Sequence, residues 1–335
     1  MIHLSRALTR REPSFASAED VRALETLAVV LDEPRSVSFR SVGLKEPVEG
    51  DAVVQIEFSG ISTGTERLLW DGRMPEFPGM GYPLVPGYEG VGRIREVNAD
   101  GPLKVGDRVF VPGSNGFVDA RGLFGADAMR VVTPVDRLIP LDTNLEGPDG
   151  ALLALTATAL HAVRQDGLPE LVIGHGVLGR LVARLTIALG GSPPRVWETN
   201  PVRTGGAQGY DVMHPDEDDR TDYIRICDVS GDPGILDHAI PCLARHGQVT
   251  LAGFYSEPVH FLFPAAFQRE ARIRIAAEWN RDDLDTVLRM VAQGAVDLSG
   301  LITHTAPAQD AETAFTQAFE DHECLKMILD WRNTA

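Results

Sequence analysis

Residues 170–179, with the sequence ELVIGHGVLG, decide the fold of this chain. Three apolar residues lead into a glycine-rich turn, and an apolar helical pattern follows that turn. A strand, a glycine turn and a helix start in this order are typical of a dinucleotide-binding unit, in which the phosphates lie at the helix N-terminus. The residues that we expect to bind the pyrophosphate are Gly174, Gly176, Val177, Leu178 and Gly179.

An acidic residue downstream bears on which dinucleotide is bound. Glu198 ends a second short apolar segment, nineteen residues past Gly179 (198 − 179). An acid at this distance accepts hydrogen bonds from the adenosine ribose and repels a 2′-phosphate, which predicts NAD rather than NADP. Arg203 is near enough in sequence to weaken that repulsion. The plainer alternative is a structural turn followed by an unrelated exposed carboxylate.

The composition excludes several classes of partner. The chain has 335 residues and a net charge of −17, so it should repel the phosphates of nucleic acid. No apolar run reaches the roughly 18 residues of a transmembrane segment, and the N-terminal residues lack the apolar core of a secretory signal. The cysteines, Cys227, Cys242 and Cys324, have neither metal nor disulfide spacing. We therefore expect a cytoplasmic protein.

Two hydrophobic patterns divide the chain. Residues 26–135 predict many short strands separated by Gly and Pro, which is typical of a barrel or curled sheet. From Gly150 helices and strands alternate, which indicates a doubly wound parallel sheet in an α/β protein. The tail should rejoin the first part. We therefore assign residues 1–145 and 298–335 to a β-rich substrate domain and residues 146–297 to a dinucleotide-binding domain.

Four further motifs support this organisation. They are PGYEGVG at residues 86–92, GDRV at 106–109, LTATALHAV at 155–163 and LITH at 301–304. As a set they resemble the medium-chain dehydrogenase/reductase superfamily over about residues 26–331. The resemblance implies a GroES-like β-rich substrate domain, a Rossmann domain and an NAD-dependent oxidoreductase.

The chain departs from that family at the metal positions. Zinc-dependent members bind catalytic zinc with Cys, His and Cys, and these match Ser62, Tyr88 and Ala154 here. The four cysteines of a structural zinc site are absent from the sequence as well. Hydroxyl, phenol and methyl groups do not supply the N and S ligands that zinc requires. We therefore expect no metal, and another group must stabilise the oxyanion of the reaction.

The resemblance also implies roles for residues near the lost metal. Thr65 matches the hydroxyl that relays the substrate proton, and Thr63 is the alternative because this segment carries one extra residue. Tyr88 either donates to the developing oxyanion or packs where zinc would lie. Glu89 either orients its neighbours or is a buried structural carboxylate. We assign catalytic roles to Thr65, Tyr88 and Glu89.

Other residues are expected beside the cofactor. Thr158 matches a residue near the nicotinamide. Asp228 and Ser230 follow a predicted strand, where cofactors bind, although this segment could be only a turn. His161 is expected on a helix surface or in packing, and His175 occupies a variable position of the glycine turn.

Within the superfamily, residues 59–75, 79–92 and 174–181 resemble a dehydrogenase of bacteriochlorophyll biosynthesis in photosynthesis. This implies oxidation of the 3-(1-hydroxyethyl) group of a bacteriochlorophyllide to 3-acetyl, with a tetrapyrrole as the small-molecule partner. The side chains that either line its flat pocket or pack on their own core are Trp70, Met74, Phe77, Met80 and Tyr82. The alternatives are a zinc-free quinone or enone reductase using NADPH and a non-catalytic dinucleotide-binding redox sensor. A homodimer is a further expectation.

Overall fold

The computed structural model describes residues 24–76, 78–141, 145 and 147–334. The short helix that the sequence predicts from Ser17 lies outside these residues. The first group of strands is β1 (Glu25–Glu33), β2 (Ser36–Gly43), β3 (Asp51–Ile61), β4 (Leu84–Val85), β5 (Gly90–Val97), β6 (Arg108–Val111), β7 (Arg121–Gly122), β8 (Arg130–Pro134) and β9 (Ile139–Pro140). The later strands are β10 (Leu171–Ile173), β11 (Arg195–Trp197), β12 (Asp211–Met213), β13 (Tyr223–Asp228), β14 (Leu243–Leu251), β15 (Arg272–Ile275), β16 (His304–Pro307) and β17 (Met327–Asp330).

Seven α-helices connect these strands in the described part of the chain. They are α1 (Thr65–Asp71), α2 (Leu153–Arg164), α3 (Val177–Ala188), α4 (Leu236–Ala239), α5 (Phe263–Arg269), α6 (Arg281–Ala292) and α7 (Ala311–Glu320). Helix α6 begins with a capping box, in which Asn280 and Asp283 bond each other's backbone N–H groups. These contacts satisfy N–H groups that have no partner inside a helix.

Six strands form one sheet in the order β12-β11-β10-β13-β14-β15. Every neighbouring pair in this sheet is parallel. The side chains of β10 are at most 5% exposed, as expected for a strand that is buried on both faces. Strands are added on both sides of β10, so the doubly wound sheet that the sequence predicts is confirmed.

The remaining strands form the β-rich part. One sheet has the order β2-β1-β4-β7, and the other has the order β16-β17-β3-β5-β6-β9, with β8 also paired to β3. Met327 in β17 lies opposite Ile61 in β3 in an antiparallel pair. The C-terminal tail therefore completes the β-rich sheet, as the sequence predicts.

One predicted helix is much shorter than expected. The sequence predicts a helix over residues 233–245, but α4 has four residues and β14 already begins at Leu243. Pro241 lies in a short 3-10 turn directly after α4. Proline has no backbone N–H to donate to the preceding turn, so the α-helical hydrogen bonds stop before Pro241.

A shared apolar core joins the two parts. Phe58, Val91 and Phe110 of the β-rich sheet belong to the same buried cluster as Leu160 of α2 and Val172 of β10. This contact fixes the carboxyl ends of the parallel strands against the β-rich sheet and leaves a cleft between them. Within the described residues, no helix is both long enough and apolar enough to cross a membrane.

Candidate active site

The cleft has a volume of about 1660 Å³ and is lined by both parts of the molecule. Ser62, Thr65 and Tyr88 line it from the β-rich part, and Thr158 and Glu198 line it from the parallel part. Ligand sites of α/β proteins lie beyond the carboxyl ends of the parallel strands. The cleft therefore brings residues that are far apart in sequence to one candidate active site.

The glycine turn has the geometry that a phosphate needs. Gly174 has a φ of 101°, which favours glycine, and a Cβ at Gly179 would lie 1.9 Å from the Gly174 carbonyl oxygen. A Cβ at Gly176, in contrast, would meet no atom within 4 Å, so the open side of this residue faces the cleft. Helix α3 begins at Val177, and its first N–H groups are free to bind an anion. These residues fit a pyrophosphate.

Glu198 follows β11 and lines the cleft. Its Oε2 accepts from the His175 backbone N–H at 3.0 Å, and its Oε1 accepts from the Asn200 backbone N–H at 2.7 Å. The carboxylate thus ties the glycine turn to the loop after β11. Each carboxylate oxygen accepts more than one hydrogen bond, so Glu198 retains acceptor capacity toward the cleft.

His175 is buried within the glycine turn, although the sequence marks it only as a variable position. Its Nδ1 lies 2.7 Å from the Arg203 carbonyl oxygen, and its Nε2 lies 2.9 Å from the Tyr210 hydroxyl. Burial lowers the pKa of His175 to about 4, so the ring is neutral at physiological pH. This residue positions the turn, and its role is not visible in the sequence because Tyr210 and Arg203 reach it only in the fold.

Asp228 and Ser230 occupy different positions at the end of β13. Asp228 is fully buried, and its carboxylate accepts from the Ser230 backbone N–H and from the Tyr255 hydroxyl. Ser230 is exposed and lines the cleft. Asp228 therefore stabilises the loop from its buried side, whereas Ser230 faces the cleft.

Thr158 lies on α2 at the boundary of the two parts and lines the cleft. Its hydroxyl donates to the Ala154 carbonyl oxygen at 2.9 Å. The hydroxyl hydrogen is engaged, so the Thr158 oxygen is left as an acceptor toward the cleft. His161, one turn further along α2, lies 2.7 Å from the Asp283 carboxylate and packs between helices, in agreement with the packing role expected for it.

Three hydroxyl groups meet at the end of the cleft formed by the β-rich part. We call Ser62, Thr65 and Tyr88 the hydroxyl trio. The Tyr88 hydroxyl donates to Ser62 Oγ at 2.7 Å, and the Thr65 hydroxyl is near enough to bond Tyr88 and to oppose the rise of its pKa. Ser62 is 4% exposed and stands at the first lost zinc-ligand position. The sequence does not indicate that Ser62 belongs to this trio, because it shows only that Ser62 replaces a zinc ligand.

The phenol of Tyr88 is held in its neutral form. Burial raises the pKa of Tyr88 well above its usual value, and the Glu89 and Glu66 carboxylates raise it further. A neutral phenol donates a hydrogen bond and relays a proton, but it does not act as the base that finally keeps the proton. Phe124 packs edge-on against the Tyr88 ring, with 5.5 Å between the ring centroids, and helps to fix its orientation.

Glu89 lies behind Tyr88 and does not line the cleft. It is fully buried and forms an ion pair with Lys326, which is 1% exposed. Burial raises the pKa of Glu89, and the Lys326 ammonium opposes that rise. Glu89 therefore contacts its neighbours in the interior but does not reach a ligand in the cleft.

Two further observations concern the grouping of possible metal ligands and the segment that starts at the end of α1. Within the residues that the structure describes, no three His, Cys, Asp or Glu side chains are grouped to hold a metal ion. Trp70 and Met74 are buried in the β-rich core, and Met80 and Tyr82 pack against it. None of these four lines the cleft, so the structure favours packing over a pocket wall. Phe77 lies outside the described residues.

Comparison with known sequences gives two findings. Residues 48–143 match the family described as alcohol dehydrogenase GroES-like domain. Proteins named 2-desacetyl-2-hydroxyethyl bacteriochlorophyllide A dehydrogenase match in Cereibacter sphaeroides, at 54% identity over 93% of this chain and 100% of the relative, and in Rhodobacter capsulatus, at 52% over 92% and 99%.

Comparison with solved structures shows the fold. L-idonate 5-dehydrogenase from Escherichia coli has a TM-score of 0.80 at 18% identity, covering 92% of this chain and 98% of that one. An alcohol dehydrogenase from Escherichia coli complexed with NADH has a TM-score of 0.77 at 19% identity and 91% and 99% coverage. A Sinorhizobium meliloti dehydrogenase bound to NADP has a TM-score of 0.77 at 19% identity and 92% and 99% coverage.

Proposed function

This chain belongs to the family of the 2-desacetyl-2-hydroxyethyl bacteriochlorophyllide A dehydrogenases, within the medium-chain dehydrogenase/reductase superfamily, and from that premise we propose that it oxidises the ring hydroxyethyl group of a bacteriochlorophyllide to acetyl. The observation that carries the proposal is the similarity along nearly the whole length of both relatives. The cleft is wide enough for a cofactor and a large ligand.

The proposed cofactor is NAD, which accepts a hydride when it is bound. Its pyrophosphate would be held by the turn from Gly174 to Gly179 and by the N-terminus of α3. Glu198 would accept from the ribose hydroxyls, which favours NAD over NADP. Thr158 would accept a hydrogen bond on the nicotinamide side, and Ser230 would border the cofactor while Asp228 holds the Ser230 loop.

The hydroxyl trio is proposed to handle the substrate hydroxyl. Thr65 and Tyr88 would contact it, and Tyr88 passes a hydrogen bond on to Ser62 at 2.7 Å. The Tyr88 hydroxyl has one hydrogen, which would turn from Ser62 to the developing oxyanion and stabilise it there. Glu89 is proposed as a positioning residue, because its ion pair with Lys326 lies directly behind Tyr88.

We also propose that the protein forms a homodimer. Strand β15 is the last strand of the parallel sheet, so one of its backbone edges is unpaired within the described residues. The exposed apolar side chains of this region that lie outside the cleft are Phe261, Leu262, Phe263, Phe267 and Ile273. A second copy that approaches by two-fold symmetry would cover them with the same surface. Sedimentation should show a dimer that Phe267→Asp, at a side chain outside the cleft, dissociates. The free thiols Cys227, Cys242 and Cys324 support a cytoplasmic location.

Purified protein incubated with the hydroxyethyl pigment and NAD tests the function. The absorbance of NADH should rise in step with the appearance of the acetyl pigment on chromatography. Oxidation of NADPH by a quinone or enone, without turnover of pigment, would favour the reductase alternative. Tight binding of NADH and pigment without any turnover would favour a redox sensor.

A further inference from the structure

Arg180 is a charged side chain buried directly behind the glycine turn. It lies in the first turn of α3, is 4% exposed and does not line the cleft. Within the described residues each of its hydrogen bonds goes to a backbone carbonyl oxygen, and none goes to a carboxylate. Burying a guanidinium without a carboxylate partner costs stability unless its donors are satisfied, so the positions of these carbonyl groups indicate what Arg180 does.

The carbonyl groups that Arg180 contacts belong to two segments beside the cofactor site. Arg180 Nε donates to the His175 carbonyl oxygen at 3.1 Å, in the glycine turn. Its Nη2 donates to the carbonyl oxygens of Arg203, at 3.2 Å, and Gly205, at 2.7 Å. These two residues lie in the segment after β11, residues 198–206, which we call the β11 loop. One planar guanidinium with a rigid fork of donors therefore ties the glycine turn to the β11 loop.

The backbone of the β11 loop packs directly on this guanidinium. A Cβ at Gly206 would lie 2.3 Å from Arg180 Nη1, which is closer than two such atoms can approach. Gly206 also has a φ of 82°, which favours glycine. The loop therefore reaches a position against Arg180 that a side chain at residue 206 would prevent.

His175 makes a second connection to the same loop. A carbonyl oxygen only accepts, so His175 Nδ1 carries the ring hydrogen and donates it to the Arg203 carbonyl oxygen at 2.7 Å. The opposite ring nitrogen, Nε2, then accepts from the Tyr210 hydroxyl at 2.9 Å. The Arg203 carbonyl oxygen thus receives hydrogen bonds from both His175 and Arg180, and the Tyr210 hydroxyl favours the tautomer of His175 that donates one of them.

The β11 loop carries side chains that face the cofactor site. Glu198 and Arg203 line the cleft, and Glu198 accepts from the His175 backbone N–H at 3.0 Å. We propose that Arg180 is a positioning residue for the adenosine half of the cofactor, because its carbonyl contacts hold the β11 loop, and Glu198 with it, against the glycine turn. This proposal rests on the proposed function, in which that cofactor is NAD. Arg180 acts through the loop and does not contact the ligand itself.

Titration with ADP-ribose, which is NAD without its nicotinamide, tests this role apart from the reaction. Arg180→Gln should weaken ADP-ribose binding by about tenfold or more, because several hydrogen bonds from a charged donor are lost. The KM for NAD should rise to a similar extent, while kcat at saturating NAD falls much less. Arg180→Lys keeps the charge but not the planar fork, so it should recover part of the lost affinity. Arg269→Gln is the matched control, since Arg269 also donates to three backbone carbonyl oxygens, all outside the cleft. It should lower the free energy of unfolding and leave the affinity for ADP-ribose unchanged.

Tyr210→Phe decides the matter if Arg180→Gln does not fold. It removes only the hydroxyl that donates to His175 and should weaken ADP-ribose binding about threefold. An unchanged affinity in whichever of these two variants is folded, or an equal loss in Arg269→Gln, would overturn the proposal. A wild type that binds neither ADP-ribose nor NAD would refute the proposed cofactor, and the role of Arg180 with it. A wild type that binds ADP-ribose but forms no NADH from the pigment would refute only the proposed reaction, and a loss of affinity in Arg180→Gln would still establish the positioning role.

Discussion

Carboxyl groups in the two parts of the molecule have opposite surroundings. In the parallel part, Glu198 has a backbone N–H donor on each oxygen, and Asp228 has a backbone and a hydroxyl donor. In the β-rich part, Asp127 has no backbone N–H donor on either oxygen within the described residues, and the Ser59 hydroxyl is the hydrogen-bonding group near enough to oppose the rise of its pKa. Glu198 lines the cleft, whereas Asp127 lies in the interior away from it, and only the carboxylates of the parallel part are fully hydrogen-bonded.

This difference separates two uses of an acidic side chain. A carboxylate that accepts several N–H bonds fixes a loop in one conformation, and Glu198 does so for the glycine turn. A buried carboxyl group with few donors has a raised pKa and lowers stability once it ionises, as expected for Asp127. Substitutions in the parallel part should therefore change cofactor binding, and substitutions in the β-rich part should change the rate of the reaction or the pH dependence of stability.

The largest effect is expected at the hydroxyl trio. Tyr88→Phe and Thr65→Val should each lower kcat by roughly 10²–10³-fold, because one donor to the oxyanion is lost, while the affinity for NAD stays near normal. Steady-state kinetics with the hydroxyethyl pigment measure this. Tyr82→Phe, outside the cleft, is the control. If Thr63→Val is the impaired variant and Thr65→Val keeps full activity, the relay belongs to Thr63.

A smaller effect is expected at Glu198, whose carboxylate is hydrogen-bonded. Glu198→Ala should weaken NAD binding by about 10- to 100-fold, in line with the roughly 1.5–3 kcal/mol of a hydrogen bond to a charged group, and should relax the rejection of NADP. Fluorescence titration with both dinucleotides measures the ratio of their affinities, and the exposed Glu217→Ala is the control. A wild type that already prefers NADP would contradict the assignment of Glu198 to the ribose.

The pH dependence of the free energy of unfolding should distinguish Asp127 from the hydrogen-bonded carboxylates. The pKa of Asp127 is about 7 in the fold and lower when unfolded, so the folded state binds more protons between these values. Its contribution to stability is thus favourable at acid pH and is lost as pH rises to about 7. The free energy of unfolding of Asp127→Asn, relative to the wild type, should therefore be more favourable at pH 8 than at pH 5. Urea unfolding at both pH values measures this difference. Equal differences at both pH values would show that Asp127 ionises normally.

The smallest effect is expected from chelators. Ser62, Tyr88 and Ala154 offer no ligand set for zinc, so a chelator should leave kcat unchanged and elemental analysis should find no stoichiometric zinc. A zinc-dependent relative with an intact ligand set is the positive control for the treatment. About one zinc per chain, lost together with activity, would show that the β-rich part uses a metal after all.

Local patterns in the sequence determined much of the fold. The glycine turn at residues 174–179, the change from short strands to alternating helices and strands, and the return of the tail are recognisable because each depends on residues near one another in sequence. The short α4 was not foreseen, because the effect of Pro241 overrides an apolar pattern that otherwise suits a helix.

Only the tertiary structure decided how the polar groups are combined. The sequence indicates Thr65, Tyr88 and Glu198 singly, through motifs that surround each of them. It does not show that Ser62 accepts from Tyr88, that Tyr210 bonds His175, or that Lys326 and Asp127 meet Glu66. Protonation depends on burial and on charges brought together from distant segments, and neither quantity exists before the chain is folded.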